Sequence, residues 1–83
     1  MKKILFNGNK NVISLKLRLA REAAGLSQSQ LAARMQTLGV NIDQQMISRI
    51  EKNLRFVTDY ELASFCRILN VRLEDMLESY YEI

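Results

Sequence analysis

The sequence predicts an all-α domain in which five short helices surround one small core. Apolar residues recur at helical spacings along most of the chain, and capping and turn residues divide it at short intervals. No stretch shows the convincing period-2 alternation of a half-buried strand. A chain of 83 residues also has room for only one domain with a single core.

The first two predicted helices are separated by a glycine. The first runs from about Asn11 to Ala24 and ends where Gly25 can adopt a left-handed conformation. The second begins at a capping box formed by Ser27 and Gln30 and ends at Gly39. The stripes expected to be buried are Ile13, Leu17, Ala20 and Ala24 in the first helix, and Leu31, Ala32, Met35 and Leu38 in the second.

The other three helices are delimited by residues of the same kinds. Asp43 caps the third, which ends near Asn53, and the capping box Thr58-Asp59-Tyr60-Glu61 opens the fourth, which ends at Asn70. A short fifth helix continues weakly into Tyr80-Tyr81. The inward positions are Met46, Ile47 and Ile50 in the third helix, Leu62, Phe65, Cys66 and Leu69 in the fourth, and Leu73, Met76 and Leu77 in the fifth.

Segments of different character flank the predicted domain, which spans residues 11–78. Residues 79–83 are expected to be a C-terminal tail. Residues 1–10 are Lys-rich and carry the turn signal Asn7-Gly8. We expect a mobile tail there, and a short hairpin centred on Asn7-Gly8 is the alternative.

Composition excludes several function classes. The chain has one Cys and no His, so no metal site, cofactor or disulfide is expected, and a reducing, cytoplasmic location is favoured. No nucleophile–base pair is evident, so we do not expect an enzyme. No apolar run is long enough to cross a bilayer or to form a signal peptide.

The net charge of +3 conceals an asymmetry along the chain. Residues 1–57 hold ten Lys and Arg against three acids, a net of +7, and residues 58–83 hold two Arg against six acids, a net of −4. The positive charge of residues 1–57 favours a polyanion as binding partner, and the negative charge of residues 58–83 favours a different role for that part. The alternative is the scattered charge of any small soluble protein.

The third helix carries the most specific signal. On a helical wheel one arc of about 140° contains only polar, acid-free positions, whereas Met46, Ile47 and Ile50 take the opposite side. Amide and guanidinium groups of this kind can pair with adenine and guanine edges. A solvated face usually mixes Glu with Lys, so the missing carboxylate favours nucleic-acid contact. The arc consists of Gln44, Gln45, Ser48, Arg49 and Lys52.

The order of these motifs resembles the phage repressor/Cro-type helix-turn-helix regulators, the XRE family. The similarity covers roughly residues 13–77 and rests on Leu17-Arg18-Leu19-Ala20-Arg21-Glu22-Ala23-Ala24-Gly25-Leu26-Ser27-Gln28, on Leu31-Ala32 and on Met46-Ile47-Ser48-Arg49-Ile50-Glu51-Lys52-Asn53. Asp59-Tyr60-Glu61-Leu62 and Leu69-Asn70-Val71 continue it. The resemblance implies a compact repressor-like fold and DNA binding.

The resemblance also implies roles for individual residues. The third helix, about residues 43–52, would be the recognition helix, and the second would cross the DNA backbone. Base readout would come from Gln44, Gln45, Ser48 and Arg49. Backbone contacts would come from Ser27, Gln28, Lys52, Asn53 and Arg55.

A structural ion pair is implied between Arg21 and Glu51, because related repressors pair an Arg and a Glu at these places. The helical wheels agree, since Arg21 borders the apolar stripe of its helix and Glu51 borders Ile47. We expect this pair to set the angle between the first and third helices.

One departure from the family pattern lies between the second and third helices. The usual spacing from the small Ala to the buried aliphatic residue is about ten positions. Here Ile47 follows Ala32 by fifteen positions, which predicts a second helix longer by about a turn and an extended connection at Val40-Asn41-Ile42. Which of the readout side chains reaches which base is therefore left open.

The expected function is sequence-specific binding of double-stranded DNA by a transcriptional regulator. A domain of this size reads few base pairs, so we expect a homodimer on a pseudo-palindromic operator, with self-contact through the fifth helix and Tyr80, Tyr81. No small-molecule ligand is evident. The alternative is a protein-interaction module of the same fold, antitoxin-like or anti-repressor, without base readout.

Overall fold

The computed structural model describes residues 5–82, and within that range the chain forms six helices without a named strand. They are α1 (Ser14–Ala23), α2 (Gln28–Thr37), α3 (Gln44–Glu51), α4 (Asp59–Leu69), α5 (Leu73–Met76) and α6 (Glu78–Tyr81). The all-α class is confirmed. The predicted fifth helix is divided at Leu77, which ends α5 and precedes α6 without a side-chain cap. Within the described range no helix has the length and apolar character needed to span a membrane.

The core lies where α1 packs against α3, α4 and α5, and where α2 packs against α3 and α4. Its fully buried large side chains are Leu17, Leu31, Met35, Ile42, Ile47, Ile50, Phe65 and Met76. Cys66 is buried beside them, and burial raises the pKa of its thiol, which suits a core residue.

Three residues expected in the core are exposed: Ala24, Leu38 and Leu73, which is the first residue of α5 and is 51% exposed. Ala24 and Leu38 are the C-cap residues of α1 and α2, so each lies past the last turn that keeps the stripe inward. After α2 the chain buries Val40 and Ile42 instead, and the amide of Gln36 donates to the carbonyl of Ile42 at 3.1 Å. The extended connection is therefore anchored on the core.

Capping residues set the helix boundaries. The predicted boxes are present at Ser27 with Gln30 and at Thr58 with Glu61, and the Asp43 carboxylate accepts the Met46 N–H at 2.8 Å. The first helix starts later than predicted, at Ser14. The residues before the helix form a local turn, in which the Asn11 side chain accepts the Ile13 N–H at 3.1 Å.

Residues with positive φ end four helices. Gly25 follows α1 at φ 71°, Gly39 follows α2 at 79°, Asn53 follows α3 at 60° and Asn70 follows α4 at 54°. After α1, α2 and α3, the N–H groups of the positive-φ residue and of the residue that follows it both donate to carbonyls in the last turn of the helix, as in a Schellman motif. The chain thus turns sharply after each of these helices.

The described residues at both ends of the chain take part in local structure. Phe6 and Asn9 form an antiparallel bridge around Asn7 (φ 48°) and Gly8 (φ 80°), a turn of type I′. This turn agrees with the hairpin alternative for the described part of the segment, and residues 1–4 lie outside the described range. At the other end residues 79–81 belong to α6.

Candidate nucleic-acid interface

The outward side of α3 presents the polar groups that the wheel predicted. Gln44, Gln45 and Arg49 are exposed and Ser48 is half-buried, whereas Ile47 and Ile50 on the opposite side are fully buried. Lys52, the C-cap residue of α3, is also exposed. A partner approaching this side of α3 meets amides, a hydroxyl and two cations.

A buried ion pair joins α1 to α3. Nε and Nη2 of Arg21 donate to the two carboxylate oxygens of Glu51 at 2.7 and 3.1 Å, and Nη1 donates to the carbonyl of Leu26 at 2.9 Å. The two side chains are only 12% and 4% exposed. The hydrogen bond to Glu51 raises the pKa of Arg21 above its ordinary value. The pair therefore fixes α3 against α1 and against the turn before α2.

Two glutamines connect this ion pair to the exposed end of α3. The Nε2 group of Gln28 donates to Glu51 at 3.1 Å, and the Nε2 group of Gln44 donates to Oε1 of Gln28 at 3.0 Å. The Glu51 carboxylate can only accept hydrogen bonds. Gln28 must therefore turn its NH2 group toward Glu51 and its carbonyl oxygen toward the NH2 group of Gln44. We call Glu51, Gln28 and Gln44 the amide relay.

The start of α2 lies beside this relay. Ser27 is exposed, and its hydroxyl oxygen accepts the Gln30 N–H at 3.0 Å, which leaves the hydroxyl hydrogen unused by that bond. Free backbone N–H groups and the helix dipole at such an end favour an anion.

A family model described as helix-turn-helix matches residues 17–76, well over half of the chain. The chain belongs to this helix-turn-helix family. The match supports the XRE-type resemblance and makes the protein a DNA-binding helix-turn-helix regulator. A comparison with curated proteins finds no match.

Arg55, predicted to contact phosphate, makes an ion pair within the helix-turn-helix domain. Its Nη1 and Nη2 groups donate to the two carboxylate oxygens of Glu61 at 2.9 and 3.1 Å, and Glu61 is 3% exposed. Burial raises the pKa of Glu61, but hydrogen bonds from Arg55 and Thr58 outweigh it and leave that pKa below its ordinary value. The guanidinium therefore compensates a buried charge.

Asn53, also predicted to contact the DNA backbone, makes three hydrogen bonds to the segment before α1. Its carbonyl oxygen accepts the backbone N–H groups of Lys10 and Asn11 at 2.9 and 3.0 Å, and its amide donates to the Asn9 side chain at 2.7 Å. The side chain therefore anchors the segment before α1 to the end of α3. Sequence reasoning gave no role to Asn9, Asn11 or Glu61 beyond helix boundaries.

Two cations of the predicted interface are not engaged in ion pairs within the described residues. Lys52 makes none, and Arg49 makes only a long contact of 3.4 Å to the Leu54 carbonyl. These two side chains can therefore approach nucleic acid without breaking an ion pair.

Proposed function

We propose that the protein recognises a specific sequence in double-stranded DNA, with α3 in the major groove, and thereby regulates transcription. One observation carries the proposal. On the acid-free outward side of α3, the amide of Gln44, the first residue of the helix, is held through Gln28 by Glu51, whose side chain is 4% exposed. Such preparation is expected for a side chain that reads a base edge and is of no use on a merely solvated surface.

Gln44 is the side chain best prepared for readout. One of its N–H groups is used in the amide relay, which leaves Oε1 and the other N–H without a partner among the described residues. A carbonyl beside an N–H matches the N6 donor and N7 acceptor of adenine. We propose Gln44 as an adenine reader, Arg49 as a candidate guanine reader one turn later, and Gln45 and Ser48 as their neighbours on the same face.

Backbone contacts are proposed at both ends of this face. Ser27 and Gln28 lie at the start of α2, where N–H groups favour a phosphate, and Gln28 keeps a second amide hydrogen for it. Lys52 lies at the end of α3 and adds a point charge. Such contacts set the position of α3 and carry no sequence information.

Self-association is proposed through the acidic end of the chain. Tyr80 packs against Phe6 with ring centroids 5.5 Å apart and against Tyr81 at 5.2 Å, and these rings are 44–70% exposed. Exposed aromatic rings are enriched in protein interfaces. Glu74 and Asp75 on α5 keep this end away from phosphates. Two copies would then place two α3 helices on a pseudo-palindrome in the cytoplasm, at the nucleoid.

Selection of bound duplexes from a random pool tests this function directly. We expect an enriched site with two related half-sites about one helical turn apart. Sedimentation of the free protein at increasing concentration measures the proposed dimer. A pool that stays random at low salt, with folded protein, contradicts base readout.

The second candidate is a protein-interaction module without base readout, antitoxin-like or anti-repressor. The exposed aromatic side chains at the acidic end favour it. A gel shift against random duplexes, with and without salt at about 200 mM, separates the two, because a DNA binder shifts duplex at low salt and releases it at high salt. Absence of any shift at low salt favours the interaction module.

A further inference from the structure

Three asparagines tie the segment before α1 to the end of α3. Asn53 accepts the N–H groups of Lys10 and Asn11 and donates to Asn9, as described above. Asn11 in turn donates its two amide hydrogens to the carbonyls of Ile50 and Arg55, both at 3.0 Å. We call Asn9, Asn11 and Asn53 the asparagine latch.

The latch spans the place where α3 ends and the next segment begins. Ile50 lies in the last turn of α3 and Arg55 in the connection to α4, so Asn11 joins the two sides of that turn. Asn9 and Asn11 precede residue 17, where the family match begins. Two of the three latch residues therefore lie before the matched helix-turn-helix residues, and the third, Asn53, lies within them at the end of the proposed recognition helix.

We propose that Lys10 is a further DNA-backbone contact, which the asparagine latch holds beside the end of α3. The proposal rests on the proposed function, because it takes α3 as the recognition helix. Only the backbone N–H of Lys10 takes part in the latch, so its ammonium group is left for a phosphate.

The charges near Lys10 support a phosphate as its partner. Lys10 makes none of the ion pairs found among residues 5–82. Glu51 and Glu61 are paired with arginines, and Asp59, which lines the same cleft as Lys10, makes no ion pair with it. Lys52 directly precedes Asn53 of the latch and makes no ion pair within residues 5–82. Two cations at one end of the recognition helix form a local attraction for the DNA backbone.

Salt dependence of binding to a mixed-sequence duplex tests the role of Lys10. Lys10→Gln removes the charge and leaves the latch intact, because the backbone N–H remains. The matched control is Arg67→Gln, which removes an exposed cation from α4, outside the proposed interface. Loss of one phosphate contact reduces the slope of log K against log salt by about 0.9. We expect this reduction for Lys10→Gln and an unchanged slope for Arg67→Gln.

Asn53→Gly tests whether the latch delivers Lys10. Glycine keeps the positive φ of 60° at this position and deletes the carboxamide. In the Asn53→Gly background, Lys10→Gln should have no further effect on the slope. An equal further reduction shows that Lys10 acts without the latch and overturns that part of the proposal. Circular dichroism checks the fold of each variant, and Lys10→Gln alone decides the contact if Asn53→Gly does not fold.

The failures of the two proposals are distinguishable. If Lys10→Gln leaves the slope unchanged while the wild-type protein selects a defined site, the Lys10 contact is wrong and the proposed function stands. If the wild-type protein binds no duplex at low salt, the proposed function fails, and the Lys10 contact fails with it.

Discussion

The buried pair between Arg21 and Glu51 offers the sharpest test of how the domain is held together. Arg21→Met leaves the carboxylate, which is 4% exposed, with Gln28 as its remaining side-chain donor. Removing one partner of a buried pair costs about 3–5 kcal/mol. Domains have a total stability of about 5–15 kcal/mol, so the melting temperature should fall by more than roughly 10 °C.

Replacing both partners should be much less harmful than replacing one. The double variant Arg21→Met with Glu51→Leu removes both desolvated charges, and apolar replacement of a buried pair is often neutral or stabilising by about 1–4 kcal/mol. Urea denaturation of the wild type, both single variants and the double variant measures the cycle. A cost below about 1 kcal/mol for Arg21→Met, as for surface pairs, refutes the reasoning. So does a double variant no more stable than the singles.

The same double variant tests whether the amide relay contributes to base discrimination by Gln44. It lacks Glu51, so the amide relay no longer orients Gln44, and discrimination at the base that Gln44 reads should fall by about tenfold. Ile50→Val is the matched control, since it costs about 0.5–1.5 kcal/mol and leaves the relay intact. Titration of the selected site and of its single-base variants measures the ratio. Equal base discrimination by the wild type, the double variant and Ile50→Val means that the relay does not orient Gln44 for readout.

Three further outcomes are expected. Arg55→Gln should lower the free energy of unfolding and leave the salt slope of DNA binding unchanged; a slope smaller by about 0.9 would restore its phosphate role. The pKa of Glu61 lies below its ordinary value of 4.5 in the folded state, so its contribution is present above that value and is lost as pH falls through the lower folded pKa. Urea titrations from about pH 6 to pH 3 should show this loss, and Glu61→Gln should remove that part of it. Arg49→Ala should cost about 1–3 kcal/mol at the selected site and relax one base position, and an unchanged preference rejects its readout role.

Local signals were sufficient to predict most of the fold. Capping boxes, glycines and asparagines at helix ends act within a few residues, so the sequence shows both partners at once. Ala24 and Leu38 were wrongly predicted to be buried, because an apolar stripe in the sequence does not show at which residue the helix ends. The division of the fifth helix at Leu77 has no residue signal of its own, since the break lacks a side-chain cap.

Contacts between residues distant in the chain were not predicted from local signals. The family resemblance assigned Asn53 and Arg55 to DNA-backbone contacts and gave no indication of their partners within the protein. Asn53 finds its partners more than forty positions earlier, and Arg55 finds Glu61 across the turn into α4. The Arg21–Glu51 pair was predicted through the family resemblance, which supplied the long-range pairing that spacing alone does not show.

The charge asymmetry along the chain has a partly internal explanation. Two ion pairs cross the division at residue 57, since Lys16 pairs with Glu78 at 2.7 Å and Arg55 pairs with Glu61 at 2.9 Å. Counting each pair as neutral reduces +7 to +5 in the first part and −4 to −2 in the second, from the full-sequence counts. Some of the opposite charge therefore holds the two parts together. The positive charge available to DNA is concentrated in cations without ion pairs, and Arg49 and Lys52 are those on the proposed recognition helix. The number of phosphate contacts in the salt slope should accordingly follow the unpaired cations near α3 and not the net charge of the chain.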